Sequence, residues 1–185
     1  MPNIVLAFGT TEGQTGQIAE YIANAARDHG HQAHTVNIKQ SKDAALEGYD
    51  AIIIGASVHM GKHERYVADF VRRNRAALDD LPSAFFSVSL AAHGDPANAQ
   101  SYVEEFERDT GWHPATVVLI SGALLYTQYG FVKRHLMKKI AGDKPGNLDT
   151  DTSRDYVYTE WDRVRRFAED FLDGVVTQPV KKDAS

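Results

Sequence analysis

Residues 4–15 read Ile4-Val5-Leu6-Ala7-Phe8-Gly9-Thr10-Thr11-Glu12-Gly13-Gln14-Thr15: five apolar residues in a row, then a loop of small and hydroxyl side chains. An apolar run without alternation predicts a strand buried on both faces, as in a parallel sheet. From Gln14 onward Ile18, Tyr21, Ile22, Ala25 and Ala26 recur at helical spacing. The loop therefore ends at a helix N-terminus, where backbone N–H groups lack intrahelical partners and the dipole favours an anion. Thr10, Thr11 and Thr15 add hydroxyl donors, and Gly13 lets the backbone come close to a bound group. With no Lys or Arg in the loop, a terminal phosphate would be held by amides and hydroxyls. The same residues also suit a tight strand-to-helix turn with no ligand, and this loop alone does not choose.

Other phosphate motifs fit less well. A Walker A loop places Lys and then Ser or Thr after its second glycine, where Gln14-Thr15 stands here. A dinucleotide fingerprint needs G-x-G-x-x-G, but Gly9 and Gly13 are three residues apart. A response regulator of the same strand order would end its third strand on Asp, and this one ends Gly55-Ala56-Ser57.

The chain has 185 residues, 43% hydrophobic and 24% charged, which suits one globular domain with a full core. Its lack of cysteine excludes disulfides, thiolate ligands and a Cys nucleophile. A net charge of −5 argues against general nucleic-acid binding. Met1-Pro2-Asn3 leads straight into the first strand and no apolar run reaches membrane-spanning length. These features predict a cytoplasmic protein, soluble or peripheral on the inner face of the membrane.

Strands and helices alternate along the chain. A weaker second strand covers Ala33 to Ile38 and suits a sheet edge; Ala51 to Ile54 is central and ended by Gly55. A helix presents Tyr66, Val67, Phe70 and Val71 on one face, with Arg72, Arg73 and Arg75 in water. Ala84 to Leu90 and Thr116 to Ser121 are the fourth and fifth strands; Tyr102, Val103 and Phe106 mark the helix between them. Trp161, Val164, Phe167, Ala168, Phe171 and Leu172 stripe a last helix. The predicted fold is α/β, a doubly wound five-stranded parallel sheet of order 2-1-3-4-5 spanning residues 1–175, with a flexible tail at 176–185.

Ligands of such sheets sit beyond the carboxyl ends of the strands. Besides the first loop, Gly55 to His63 and Leu90 to Asn98 leave from those ends. Here the residues resemble the flavodoxin superfamily. T-T-E-G-Q-T is similar to its phosphate loop, G-A-S-V-H-M-G to its second flavin loop and S-V-S-L-A-A-H-G to its third. The resemblance implies FMN, its phosphate held by Thr10, Thr11, Glu12, Gly13, Gln14 and Thr15. By the same resemblance Ser57, Val58, His59, Met60 and Gly61, with Leu90, Ala91, Ala92 and His93, frame the isoalloxazine ring. Glu12 departs from an ideal phosphate loop, and its side chain must point away. The third loop carries no aromatic residue, so either the loops pack differently or one ring face is open to a flat substrate, which favours an enzyme over a carrier. His59, His63 and His93 read as polar loop residues and no metal site is expected.

Residues 123–158 form an insert between the fifth strand and the last helix, longer than a simple connection requires. Tyr129, Val132, Leu136, Met137 and Ile140 share one side of a helix there, with Phe131 off the stripe. Five Lys or Arg (Lys133, Arg134, Lys138, Lys139 and Lys144) face one Asp between Ala123 and Asn147, a local balance of +4 that leaves −9 for the rest. This is either a membrane-surface or anionic-ligand element or a packed helix with solvated lysines. None of Lys133, Arg134, Lys138 and Lys139 lies on a flavin loop, so their replacement is expected to leave folding and cofactor binding intact.

Within the superfamily, F-x-T-x-x-G-Q-T, I-G-A-S-V, P-S-A-F-F-S-V-S-L, G-A-L-x-Y before a basic insert, and V-Y-T-E-W are similar to the bacterial flavodoxin-like protoporphyrinogen oxidases. That resemblance runs from about Asn3 to Phe171. It implies oxidation of protoporphyrinogen in successive two-electron steps, with electrons passed to a membrane quinone, menaquinone or ubiquinone. Gly130, Asp143 and Lys144-Pro145-Gly146-Asn147 depart from the family's richer aromatic and basic insert. No side chain has an evident acid–base role; Tyr126, His59 and His93 are candidates by location alone. A flavodoxin-like electron carrier and a nicotinamide-driven FMN quinone reductase remain as alternatives.

Overall fold

The computed structural model describes residues 1–177. Its parallel sheet has the order β2-β1-β3-β5-β6, the order predicted, built from Gln32–Asn37 (β2), Asn3–Gly9 (β1), Ala51–His59 (β3), Ser83–Ser89 (β5) and Thr116–Ser121 (β6). A two-residue strand, Lys62–His63 (β4), folds back antiparallel on the end of β3. The apolar runs are explained by the two faces of the sheet. Ile4, Leu6, Ile53 and Phe86 pack on one side with the helices Gln14–Asp28 (α1) and Trp161–Thr177 (α6). Val5, Ala7, Ile52, Ile54 and Phe85 pack on the other with Arg65–Arg73 (α2) and Pro96–Thr110 (α4). Successive side chains of a strand point to opposite faces, and here both faces are covered, so the run Ile4 to Ala7 is apolar without alternation.

Three boundaries differ from expectation. Gly55 does not end β3: pairing with β5 continues to Ser57 opposite Val88, and the strand runs to His59. Gly55 is there because a Cβ would lie 2.0 Å from the Phe86 ring, so glycine makes room for a core aromatic inside the strand. The predicted Arg face is also broken, since Arg75 begins a separate short helix, Arg75–Asp80 (α3), and bonds the Thr110 carbonyl at 3.1 Å. The last helix runs to Thr177, so the first two residues of the expected tail are helical; 178–185 lie outside the described residues.

The insert is a small folded unit. Ala123–Leu124 (β7) pairs antiparallel with Tyr156–Val157 (β8), and Phe131–Asp143 (α5) lies between them. Leu124, Leu125, Tyr126, Tyr129, Ala141 and Leu148 form a core of their own. Gly94, after the 3₁₀ turn Ala91–His93, meets this unit so closely that a Cβ on it would lie 2.1 Å from the Gly146 Cα.

Candidate functional site

The carboxyl ends of β1, β3, β5 and β6 meet the insert around two adjoining cavities. A narrow pocket of about 90 Å³ lies at the phosphate-type loop, and a wider cleft of about 700 Å³ runs from it under α5. The two share Thr11, Val58, His59, Ser89, Leu90 and Met137 in their walls. The cleft's volume falls in the range of sites that enclose a cofactor or drug-sized molecule.

Of the residues expected to bind a cofactor, Thr10, Thr11, Glu12, Gln14, Thr15, Ser57, Val58, His59 and Leu90 line the narrow pocket. Met60, Gly61 and Ala91 line the wider cleft. Gly13, Ala92 and His93 line neither. Gly13 caps α1 with φ +97°, a conformation that side chains with a Cβ rarely adopt, and so sets the direction of the loop. The Ala92 N–H donates to Ser89 Oγ at 3.2 Å, and the His93 ring packs 4.3 Å from that of Tyr158.

The loop's hydroxyls divide into engaged and free. Thr10 Oγ1 accepts from the Gly13 N–H at 2.8 Å, and the Thr11 hydroxyl donates to the Glu64 carboxylate. Gln14 is buried, and its amide donates to Thr159 Oγ1 at 2.8 Å, which in turn donates to the Ser121 carbonyl. That chain ties the start of α1 to the end of β6 and accounts for the threonine of Y-V-Y-T-E-W. Thr15 Oγ1 and Ser57 Oγ are different: both are buried, and neither has a protein partner. An unpaired buried hydroxyl is costly, and two of them line one pocket, where a ligand could supply the missing bonds. Together with the free amides at the start of α1, they suit a phosphorylated group.

Glu12 lines the narrow pocket, and the partners of its carboxylate come from the insert. Lys133 Nζ lies 2.6 Å from its Oε1 and the Tyr129 hydroxyl donates to its Oε2 at 2.8 Å. Burial raises the Tyr129 pKa far above the ordinary phenol range, which keeps that hydroxyl protonated as a donor. Lys133 is thus in contact with the phosphate-type loop, contrary to its reading as remote from it. Arg134 donates to the Tyr126 and Tyr129 carbonyls and belongs to the insert's own framework.

The apolar stripe of α5 neither reaches the sheet nor simply packs down. Of the helix only Ala141 is fully buried; Val132, Leu136, Met137 and Ile140 form one wall of the cleft, with Val132 79% exposed. Tyr129 precedes the helix rather than sharing its stripe. Val58, Met60, Leu90 and Ala91 face α5 across the cleft, and Lys133 and Lys144 stand at its edge. Aromatic rings in the two walls are confined to Tyr102 and Tyr129, beside the His59 imidazole. Among the proton-transfer candidates, His59 alone lines the cavities. Tyr126 is buried in the insert and donates to the Asp149 carbonyl at 2.7 Å, away from the site. His63 lies on the other face of the sheet, its Nε2 2.8 Å from Ser87 Oγ. No group of three or more His, Asp or Glu among the described residues is placed to hold a metal.

Sequence reasoning missed Val88, Ser89, Gly122 and Ala123, which line the narrow pocket, and Tyr102, which reaches the wide cleft from α4. Val88 and Ser89 end β5, and Gly122 and Ala123 directly follow β6, so extending the strand-end rule to every strand would have found them.

A profile of the flavodoxin domain matches residues 5–151 of the chain. The protoporphyrinogen IX dehydrogenase (quinone) of Escherichia coli strain K12 is 34% identical over 167 residues, covering 89% of this chain and 91% of that protein. The enzyme of the same name from Leishmania major is 33% identical over 174 residues, covering 92% and 74%. Among solved structures, a flavodoxin from the domain Archaea superposes with a TM-score of 0.56 at 16% identity, covering 94% of this chain and 99% of that one. The rubredoxin oxygen:oxidoreductase of Desulfovibrio gigas gives 0.55 at 14% identity, covering 94% of this chain and 36% of that one. The solved structures speak for the fold, and the sequence relatives narrow it further: the chain belongs to the flavodoxin-domain family, in the group that includes the quinone-linked protoporphyrinogen IX dehydrogenases.

Proposed function

We propose that this protein binds FMN and oxidises protoporphyrinogen IX to protoporphyrin IX for haem synthesis, passing the electrons to a membrane quinone, menaquinone or ubiquinone. The observation that carries the reading is the apolar cleft between α5 and the tip of β3, adjoining a pocket with two unpartnered buried hydroxyls. The amides at the start of α1 and Thr15 would hold the phosphate, Ser57 would bond a polar atom of the cofactor, and Leu90 and Ala91 would flank its ring. A flavin so bound supplies two-electron oxidation of a carbon substrate and reduction of a quinone.

The chain's own residues do the rest. Val132, Leu136, Met137 and Ile140 present an apolar wall that would exclude water once a flat molecule covered it, which suits a tetrapyrrole macrocycle. Lys144 at the edge suits a propionate. Exposed Phe131 and Val132 beside Lys138 and Lys139 suit peripheral contact with an anionic membrane surface on the cytoplasmic side. Among the described residues no helix is long and apolar enough to cross a membrane. An aliphatic wall over the ring position is of little use to a plain electron carrier, which needs an exposed edge for a protein partner.

The test is anaerobic mixing of the flavin-loaded protein with protoporphyrinogen, then with a quinone. Bleaching of the flavin by the porphyrinogen and its recovery on adding quinone are expected. Bleaching by NADH or NADPH but not by porphyrinogen would instead identify a nicotinamide-driven reductase, and bleaching by neither a carrier.

A further inference from the structure

Glu12 is the single formal charge between Thr10 and Thr15, and its sign opposes a phosphate. The insert answers it from 117 and 121 residues further along the chain, through Tyr129 and Lys133. Lys133 Nζ sits 2.6 Å from one carboxylate oxygen while its ammonium lies 4.5 Å from the centre of the Tyr129 ring. The Tyr129 hydroxyl, which donates to the other carboxylate oxygen, is itself fixed by the Leu125 N–H at 3.1 Å. Glu12 and Lys133 keep 25% and 38% of their side-chain surface exposed, so their charges are partly withdrawn from solvent screening.

We propose that Lys133 is a positioning residue for the flavin phosphate, acting through Glu12: it cancels the carboxylate's charge and, with Tyr129, holds it off the phosphate subsite. The inference rests on the reading of the β1–α1 loop as the FMN phosphate site. It makes the insert part of the cofactor site as well as a wall of the cleft. Because binding energies are reciprocal, phosphate in the loop also strengthens the docking of α5.

Apoprotein is titrated with FMN and, separately, with riboflavin, which lacks the phosphate, following quenching of flavin fluorescence. At low salt Lys133→Gln is expected to weaken FMN about tenfold and leave riboflavin unchanged, with the difference shrinking as salt rises. Lys133→Arg keeps wild-type affinity, and Glu12→Gln binds FMN at least as tightly as wild type. The decisive variant is Glu12→Gln with Lys133→Gln, which should recover to within about twofold of Glu12→Gln alone. Wild-type FMN affinity in Lys133→Gln overturns the proposal. So does a double variant as weak as Lys133→Gln, since Lys133 would then touch the phosphate directly. If Lys133→Gln does not fold, Glu12→Gln decides alone, and weaker FMN binding there overturns the proposal. Failure of wild-type apoprotein to bind FMN at all would bring down the cofactor reading itself, a result distinct from normal wild-type binding that is indifferent to Lys133.

Discussion

Thr15 Oγ1 and Ser57 Oγ are buried without partners, which gives substitutions there opposite signs in the two states of the protein. Thr15→Val keeps the shape and removes the stranded oxygen, so the apoprotein should be as stable as wild type or slightly more so. FMN affinity should fall by roughly ten- to a hundredfold, matching about 1.5–3 kcal/mol for a hydrogen bond to a charged group. Chemical denaturation of the apoprotein and FMN titration measure the two, and a parallel loss of both would mean that Thr15 is an ordinary core residue. His63 carries a second prediction at this scale. Its ring packs against Phe85 and Phe106, and desolvation pushes its pKa down to about 4, with the Glu105 charge opposing only in part. The folded state thus resists protonation that the unfolded chain accepts near its ordinary value of 6.5. Stability is then full above about pH 6.5 and is lost as pH falls toward 4, by up to about 3 kcal/mol. In urea melts between those limits, His63→Phe should flatten the slope; an unchanged slope would assign it to other groups. Thr15 was legible from its place at a helix start. His63 was not, because two residues of hairpin decide which face of the sheet it joins, and no periodicity shows in a strand that short.

Elements were legible where a long apolar or periodic run set them, as in β1, α1 and α6. Glycine is the misleading signal in β3. Gly55 is read as a stop from sequence because glycine weakens strands, but here the missing side chain is what admits Phe86, a contact between residues 31 apart in sequence. Gly55→Ala should therefore destabilise by about 1–3 kcal/mol through overpacking, with Phe86→Leu partly restoring stability in the double variant. Melting curves of the three variants test this, and additive losses would show that the two side chains do not compete. For α5 the periodicity was correctly seen and its partner was not. A stripe of four apolar residues announces a buried face, but sequence does not say whether that face meets a core or lines a cavity. The lysine contact with Glu12 was equally hidden, since nothing local links residues 12 and 133.

The whole molecule separates its charge: the region from Ala123 to Asn147 carries +4 against −9 elsewhere. Lys133 and Arg134 are engaged in contacts within the protein, while Lys138, Lys139, Phe131, 81% exposed, and Val132 on the same helix face solvent. An acidic body repelled by an anionic bilayer, with a basic apolar corner drawn to it, would approach with the cleft's α5 wall toward the lipid, where a hydrophobic quinone is dissolved. Lys138→Gln with Lys139→Gln should weaken binding to vesicles containing anionic phospholipid by roughly ten- to thirtyfold at low salt, at about 1 kcal/mol per lysine. Phe131→Ser should weaken binding to the same vesicles in a way that salt does not alter, because its contribution is apolar burial. All three substitutions lie outside the walls of both cavities, so FMN content and porphyrinogen oxidation with a water-soluble quinone should persist while turnover with vesicle-embedded quinone falls. Equal loss with both quinones would place the damage in the cleft, and undiminished vesicle binding would make the corner a solvated surface whose lysines meet no membrane.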